Sequence, residues 1–168
     1  MIRVAITGPE STGKSILTRQ LADHFNASRV PEYARDYISN LDRPYEEKDL
    51  LAIAKGQIEQ ENKLIANQPP LLFVDTELTV IKIWSEFKYG MCNPWIEREW
   101  QNQAYDLYLL MNIDLPWQDD PQREHPYARK ELFDLYVKAL KTKNAPFEVI
   151  SGQGKERLNN ALRVISEM

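Results

Sequence analysis

Short apolar runs alternate with longer amphipathic segments along the 168-residue chain. Continuous apolar runs are typical of strands that are buried on both faces of a parallel sheet. Such runs predict five strands here, at residues 2–7, 28–31, 71–75, 105–112 and 147–150, the second of them weakly. Because helical segments lie between them and crossovers between parallel strands are right-handed, we predict an α/β protein with helices on both faces of the sheet.

The helical segments are marked by apolar residues that recur every three or four positions, as Leu17 and Leu21 do in the first of them. The longest pattern runs roughly from residue 44 to residue 67. Pro69 and Pro70 end it, because proline cannot continue a helix. Further helices are predicted around residues 78–87, 93–103, 132–140 and 158–165, the second of them short and at the surface.

The segment between the first strand and the first helix reads Gly8-Pro-Glu-Ser-Thr-Gly-Lys-Ser15. It fits G-x-x-x-x-G-K-[ST], the phosphate-binding P-loop, and a strand–loop–helix context is what this pattern requires. Gly8 and Gly13 allow backbone angles that turn the N–H groups of the loop onto a phosphate. The alternative is a chance Gly-Lys-Ser turn. We predict that ATP is bound by Gly8, Glu10, Ser11, Thr12, Gly13, Lys14, Ser15 and Ile16.

Two residues of this region are predicted to act on the phosphates through charge and metal. Lys14 would contact the β- and γ-phosphates, and the Ser15 hydroxyl would ligate Mg²⁺, which takes oxygen ligands. The apolar run 71–74 ends at Asp75, which is the Walker-B arrangement. A strand next to the first would carry this carboxylate to the same Mg²⁺, directly or through water. The alternative is that Asp75 or Thr76 caps the following helix.

The short second strand leads into Glu32, Tyr33 and Arg35. Ligands of open α/β sheets bind at the carboxyl ends of the strands. Glu32 and Arg35 are therefore predicted to face a second substrate, although a capped helix start with a local ion pair would use the same residues. Trp84 lies on the helix after the third strand, where a tryptophan is more often core but can also line a substrate pocket.

A polar, proline-broken loop follows the fourth strand, at about residues 115–128. Its position corresponds to the lid of small kinases, which excludes water and brings an arginine to the phosphoryl group. Arg123 is the first candidate for that arginine and Arg129 the second. The alternative is a solvated loop with internal ion pairs.

Composition narrows the class of protein. The formal net charge is −4, and no basic stripe points to a nucleic-acid partner. Cys92 is the only cysteine, so no intrachain disulfide can form, and the two widely separated histidines make a zinc site improbable. No signal peptide opens the chain and no apolar run is long enough to cross a membrane. We therefore expect one cytoplasmic domain, residues 1–168, acting on a small molecule.

Several segments together carry a resemblance to a known family. They are Gly8-Pro-Glu-Ser-Thr-Gly-Lys-Ser15, Val30-Pro-Glu-Tyr-Ala-Arg35, Phe73-Val-Asp-Thr76, Tyr105-Asp-Leu-Tyr-Leu-Leu110 and Asp114-Leu-Pro-Trp117 with Arg123. In this order they resemble the ribosylnicotinamide kinase domain of the NadR-type NAD-biosynthesis family, nearly from end to end. The resemblance implies a three-layer P-loop NTPase fold with strand order 2-3-1-4-5. It also implies ATP- and Mg²⁺-dependent phosphorylation of the 5′-hydroxyl of nicotinamide riboside, giving nicotinamide mononucleotide.

The resemblance assigns roles to the candidate residues. Lys14, Glu32, Asp75 and Arg123 would be catalytic, with Glu32 favoured over Asp75 as the base. Substrate contacts would come from Glu32, Tyr33, Arg35, Asp75, Trp84, Trp117 and Arg129, with Tyr33, Trp84 or Trp117 stacking on the cationic nicotinamide ring.

The chain departs from the family at two points. Members often carry an upstream adenylyltransferase domain, whereas this P-loop begins at the N-terminus, so no adenylyltransferase activity is expected. Relatives often have Asp-Gly before the lid arginine, whereas this chain has the stiffer Asp120-Pro121. Two other classes stay open: a kinase of another nucleoside, nucleotide or small alcohol, and a non-catalytic module that senses ATP or NAD.

Overall fold

The computed structural model describes residues 1–168 and has a five-stranded parallel sheet at its centre. The strands are β1 (Ile2–Thr7), β2 (Ser28–Val30), β3 (Leu71–Asp75), β4 (Leu107–Met111) and β5 (Phe147–Ile150). Their order in the sheet is β2-β3-β1-β4-β5, and all neighbours are parallel. The predicted α/β class and the strand order 2-3-1-4-5 are both confirmed.

Seven helices connect and follow these strands. They are α1 (Lys14–Phe25), α2 (Tyr33–Ser39), α3 (Glu47–Ile65), α4 (Leu78–Tyr89), α5 (Pro94–Asn102), α6 (Arg129–Thr142) and α7 (Lys155–Ser166). The start of α3 is fixed by a capping box between Glu46 and Asp49, a few residues later than predicted. None of the helices is both long enough and apolar enough to cross a bilayer.

The short helix predicted at residues 93–103 is present, but it is not purely a surface helix, because one face of it is buried. The helix begins at Pro94, and the side chain of Asn93 caps it by accepting a hydrogen bond from the Trp95 N–H at 2.9 Å. Ile96 and Trp100 are buried, and the indole of Trp100 donates to Thr79 Oγ1 at 3.0 Å. The helix therefore packs onto α4 through one apolar stripe. In a segment this short and polar, such a stripe is hard to recognise from the sequence.

Helices cover the sheet on both faces because side chains along each strand alternate between them. On one face Val4, Ile6 and Phe73 pack against Leu17 and Leu21 of α1. The other face buries a second set of strand residues beneath α4 and α6, including Ala5, Val74, Tyr108, Leu110, Ile83, Leu132 and Tyr136. Both cores are closed, so the ligand-binding region lies at an edge of the sheet.

That edge is the one where the strands end. Ile6 of β1 is level with Asp75 at the end of β3, and Thr7 is level with Leu110 of β4. The chain therefore leaves β1, β2, β3 and β4 on the same side of the sheet. This brings the glycine-rich loop, the start of α2, Asp75 and the loop before α6 together.

The position of α2 over α3 depends on a missing side chain. Gly56 of α3 is buried, and a Cβ built there would lie 2.1 Å from Cε1 of Tyr33. Gln57 accepts a hydrogen bond from the Tyr33 N–H at 2.9 Å, which fixes the first turn of α2 in this place. The ring of Tyr33 therefore rests on the backbone of α3.

We expect Gly56→Ala to destabilise the protein by about 1–3 kcal/mol, although alanine is the better helix former, because the methyl group must displace the Tyr33 ring. Urea unfolding followed by circular dichroism measures the change. Asn62→Ala, at an exposed position of the same helix, is the control and should have little effect. The combination of Gly56→Ala with Tyr33→Leu should recover part of the loss. An unchanged or increased stability of Gly56→Ala alone would contradict this account of the packing.

Candidate active site

The loop between β1 and α1 has the backbone of a phosphate-binding loop. Gly8 has φ 135°, and a Cβ there would lie 3.1 Å from the carbonyl oxygen of Met111. Gly13 is the N-cap of α1 with φ 79° and offers no capping side chain. Glycine is thus required at both positions, by backbone conformation and by close approach. The first N–H groups of α1 are left directed toward an anion.

Lys14 folds back across this loop. Its Nζ donates to the carbonyl oxygens of Gly8 at 2.9 Å and Pro9 at 2.8 Å. Burial lowers the pKa of Lys14, while the nearby charges of Glu32, Asp75 and Glu10 oppose that shift. The lysine therefore stands at the centre of a group of carboxylates.

Asp75 lies at the floor of the same region and is only 4% exposed. Burial raises the pKa of Asp75 to about 6, and the charge of Glu32 adds to this shift. The adjacent Ser15 hydroxyl and the Lys14 charge act in the opposite direction. The carboxylate end of the predicted Walker-B strand is thus next to the last residue of the loop.

The alternative role of Asp75 or Thr76 as a helix cap is wrong. The N-cap of α4 is Glu77, whose side chain accepts from the Thr79 N–H at 2.7 Å. Because the buried Glu77 caps α4, the carboxylate of Asp75 has no capping role there.

A cavity of about 250 Å³ lies between the glycine-rich loop, α2, α4 and the loop before α6. The residues from Gly8 to Ile16 line one side of it. Glu32 and Arg35, at the start of α2, also line it. Arg123 reaches it from the loop before α6, so the cavity joins three of the predicted regions.

The local ion pair between Glu32 and Arg35 is present and both residues line the cavity, while their role toward a second substrate stays a prediction. Glu32 is the N-cap of α2 without a side-chain capping bond, and its carboxylate lies 3.8 Å from Nε of Arg35. Arg35 also donates through Nη1 to Asp120 at 2.9 Å. The ion pair between Glu32 and Arg35 therefore lies in the cavity wall, and Arg35 also contacts the loop before α6 through Asp120.

The segment Asp120-Pro-Gln-Arg123 forms a tight turn. The carbonyl oxygen of Asp120 accepts from the Arg123 N–H at 3.0 Å, and its carboxylate accepts from the Gln122 N–H at 2.9 Å. Proline is favoured at the second position of such a turn because its φ is already set. Pro121 therefore suits the turn from which Arg123 enters the cavity, where Nη1 of Arg123 donates to the Gln118 carbonyl at 2.5 Å.

Two side chains of the glycine-rich loop hold the loop before α6. The Glu10 carboxylate accepts from the backbone N–H groups of Glu124 at 3.2 Å and His125 at 3.0 Å. Ser11 Oγ accepts from the Gln118 N–H at 2.9 Å. Glu10 and Ser11 were expected to contact nucleotide, and the structure additionally gives their side chains these partners.

The aromatic candidates are not all at the cavity. Trp84 lines it, and its indole N–H donates to the Tyr45 hydroxyl at 2.9 Å. Tyr33 and Trp117 do not line it. The ring of Tyr33 rests on Gly56, and the indole N–H of Trp117 donates to Asp119 at 2.8 Å. The structure therefore leaves Trp84 as the one predicted aromatic that lines the cavity.

Arg129 is also outside the walls of the cavity. It is the first residue of α6, and its Nη1 donates to the Ser11 carbonyl at 3.3 Å. Its guanidinium lies 5.9 Å from the centre of the Trp117 ring. Arg123 is thus the lid arginine that lines the cavity.

Sequence reasoning missed several cavity residues, among them Phe87 and His125. Phe87 lies one helical turn after Trp84, and its ring meets that of His125 edge-on at 5.0 Å between centroids. The spacing of Phe87 from Trp84 was a usable signal. His125 stands in an irregular loop, where no periodicity indicates which way a side chain points.

Comparison with known proteins places the chain in a wider group. The AAA domain family matches residues 3–157. The trifunctional NAD biosynthesis/regulator protein NadR of Salmonella typhimurium is 30% identical over 152 residues, which cover 86% of this chain and 37% of that protein. The chain thus spans well under half the length of this relative.

Solved structures show the same fold. A NadR protein in complex with NR superposes with a TM-score of 0.86 at 24% identity, covering 99% of this chain and 51% of that one. Deoxyadenosine kinase from M. mycoides superposes with a TM-score of 0.71 at 14% identity, covering 99% of this chain and 100% of that one.

The raised pKa of Asp75 predicts how stability depends on pH in metal-free protein. Below about pH 4 the carboxyl is protonated in both folded and unfolded chains. Between pH 4 and 6 the folded chain holds the proton more tightly, so stability falls as pH rises, by on the order of 3 kcal/mol in total. Asp75→Asn should therefore raise the free energy of unfolding at about pH 7.5 by roughly 1–3 kcal/mol and change it little at about pH 4.

Chemical denaturation in the presence of EDTA at the two pH values measures this effect. Asp42→Asn, which removes an exposed carboxylate, is the matched control. An equal effect of Asp75→Asn at both pH values would show that the pKa of Asp75 is not raised.

Proposed function

The chain belongs to the AAA domain family, and we propose that it is an ATP-dependent kinase that phosphorylates the 5′-hydroxyl of nicotinamide riboside to give nicotinamide mononucleotide. One observation carries the proposal: a single cavity is lined by a phosphate-binding loop, by Glu32 and Arg35, and by Arg123 from the loop before α6. Similarity to NadR, named as an NAD biosynthesis protein and solved with NR, supports this acceptor.

The donor side of the cavity is built for a triphosphate. The backbone N–H groups of residues 10–15 and the N-terminus of α1 bind the β- and γ-phosphates, and Lys14 adds a positive charge. Arg123 neutralises charge on the γ-phosphoryl group in transfer, a role for which arginine is suited by its fixed charge and its fork of donors.

The residues beneath the phosphates fit Mg²⁺. Ser15 and Asp75 stand side by side and offer a hydroxyl and a carboxylate oxygen, the donors that Mg²⁺ prefers. No group of three or more His, Cys, Asp or Glu side chains is arranged as a metal cage, which suits an ion that also takes phosphate and water oxygens. Bound there, Mg²⁺ would neutralise phosphate charge and hold the phosphates in line.

Glu32 is the base in this proposal. Its carboxylate lines the cavity, whereas Asp75 is buried below it next to Ser15. Glu32 accepts the proton of the ribose hydroxyl while that oxygen bonds to the γ-phosphorus and the bond from phosphorus to the ADP oxygen breaks. Arg35, paired with Glu32 and with Asp120, orients the carboxylate and links it to the lid.

The acceptor carries a positively charged aromatic ring, which suits the α4 side of the cavity. Trp84 and Phe87 line that side, and Tyr45 fixes the edge of the Trp84 indole. Stacking of a cationic ring on Trp84 would contribute about 0.5–2 kcal/mol. The lid, held by Glu10 and Ser11, excludes water so that the phosphoryl group passes to the acceptor.

The proposal covers the kinase reaction alone, because the chain covers 37% of its NadR relative. The cytoplasmic location and the single-domain organisation expected from the sequence, with a lid at about residues 115–128, remain predictions.

A mass-spectrometric turnover assay tests the proposal. Purified protein, ATP and Mg²⁺ are incubated with nicotinamide riboside and, separately, with ordinary nucleosides, nucleotides and small alcohols. We expect selective gain of one phosphate on nicotinamide riboside, with Lys14→Ala as the inactive control. Phosphorylation of a different compound would support kinase activity but rule out nicotinamide riboside as the acceptor. ATP binding without turnover of any compound would favour a nucleotide-sensing module instead.

Glu32→Gln should lower kcat by about 10²–10⁴-fold while leaving the Kd for ATP within about twofold, because the amide keeps the shape of the side chain but cannot accept the proton. Steady-state kinetics and calorimetric titration with ATP give the two numbers. Asp36→Asn, at an exposed position of the same helix, is the control. Equal losses in kcat and in ATP affinity would contradict the assignment of Glu32 as base.

A further inference from the structure

Arg157 is a buried charged residue that the chemistry above does not use. It lies in the first turns of α7 and is only 4% exposed. Burial lowers the pKa of Arg157, and the charge of Asp114 opposes that shift. A buried guanidinium is costly unless its donors are satisfied, so its partners indicate what it is for.

The partners of Arg157 are almost all backbone carbonyls. Nε donates to Gly152 at 2.7 Å and Nη1 to Thr12 at 2.8 Å. Nη2 lies 3.4 Å from the Asn112 carbonyl and pairs with the Asp114 carboxylate. These residues belong to three loops at the site edge of the sheet: the phosphate-binding loop, the root of the lid after β4, and the turn after β5.

The contact with Thr12 bears directly on phosphate binding. Thr12 and Gly13 share one planar trans peptide, in which the carbonyl and the following N–H point in opposite directions. Holding the Thr12 carbonyl against Arg157 therefore aims the Gly13 N–H away from Arg157. Gly13 is the N-cap of α1, so this N–H is one of the donors that face an anion.

The contact with Asp114 joins the other two loops to the same point. One carboxylate oxygen of Asp114 pairs with Arg157, and the other accepts from the Gly152 N–H at 2.7 Å. The root of the lid and the turn after β5 are thus fixed to each other and, through Arg157, to the phosphate-binding loop.

We propose that Arg157 is a positioning residue for the nucleotide: it orients the Thr12–Gly13 peptide and fixes the root of the lid against it. The anchoring of α7 itself does not require the charge, because Leu158, Ala161 and Leu162 already pack this helix onto the core. The inference rests only on the nucleotide-binding part of the proposed function and is independent of the acceptor.

Calorimetric titration with a non-hydrolysable ATP analogue, in the presence of Mg²⁺, tests it. Arg157→Met keeps the buried stem and its packing, and an apolar replacement of a buried charge is often neutral for stability. The control is Arg163→Met, at an exposed position of the same helix. We expect Arg157→Met to raise the Kd for the analogue by about 10–100-fold, because charged hydrogen bonds are lost, while Arg163→Met leaves it within about twofold.

Further variants separate positioning from bulk stability. Arg157→Lys should restore less than half of the lost binding free energy, since an ammonium cannot reach three loops as the guanidinium does. Millimolar ethylguanidinium should restore analogue binding to Arg157→Ala but not to Lys14→Ala. Steady-state kinetics of Arg157→Met should show the rise in KM for ATP, with KM for the acceptor nearly unchanged.

An unchanged Kd in folded Arg157→Met would overturn the proposal, as would equal rises in KM for both substrates. If Arg157→Met does not fold, Asp114→Asn decides, because its side chain is part-exposed and keeps its volume. That variant should raise the analogue Kd in the same direction, and no change would count against the proposal. Because binding is measured without acceptor, turnover of a different acceptor would sink the proposed function and leave this inference standing.

Discussion

The close approach of Gly8 to the end of β4 is the constraint on which the site depends. A Cβ on this residue would lie only 3.1 Å from the carbonyl oxygen of Met111, and its φ of 135° is one that side chains rarely adopt. The approach requires β1 to be the neighbour of β4, as the sheet order provides. It places the phosphate-binding loop against the very strand from which the lid emerges. Donor loop and lid are neighbours because of this one packing contact.

The loop before α6, the proposed lid, contacts both the donor side and the proposed acceptor side of the cavity. On the donor side it rests on Glu10 and Ser11. On the acceptor side its turn rests on Arg35, and Lys88 of α4 pairs with Glu124 at 2.8 Å. Each half of the site therefore stabilises a different part of the same loop.

Much of the fold was predictable because strands buried on both faces leave continuous apolar runs, and β1, β3 and β5 begin and end where those runs do. Lys14, Ser15 and Asp75 were found because their spacing within a strand–loop–helix context is specific. The burial of Trp100 was missed, and α2 was anticipated only as an alternative helix start, since short polar helices show little periodicity. Arg157 was beyond reach for another reason: its contact with Thr12 spans 145 positions, and Arg157 itself belongs to no motif that would indicate a partner.

The bonds that seat the lid on the donor loop end on its main chain. Glu10 and Ser11 bind the backbone N–H groups of residues 118, 124 and 125, whatever their side chains. Mutation at positions 118 and 125 can therefore change what the cavity admits without unseating the loop. Such a scaffold is evolvable. Substitutions in the lid can change the preference for an acceptor, while the residues proposed to bind ATP stay the same.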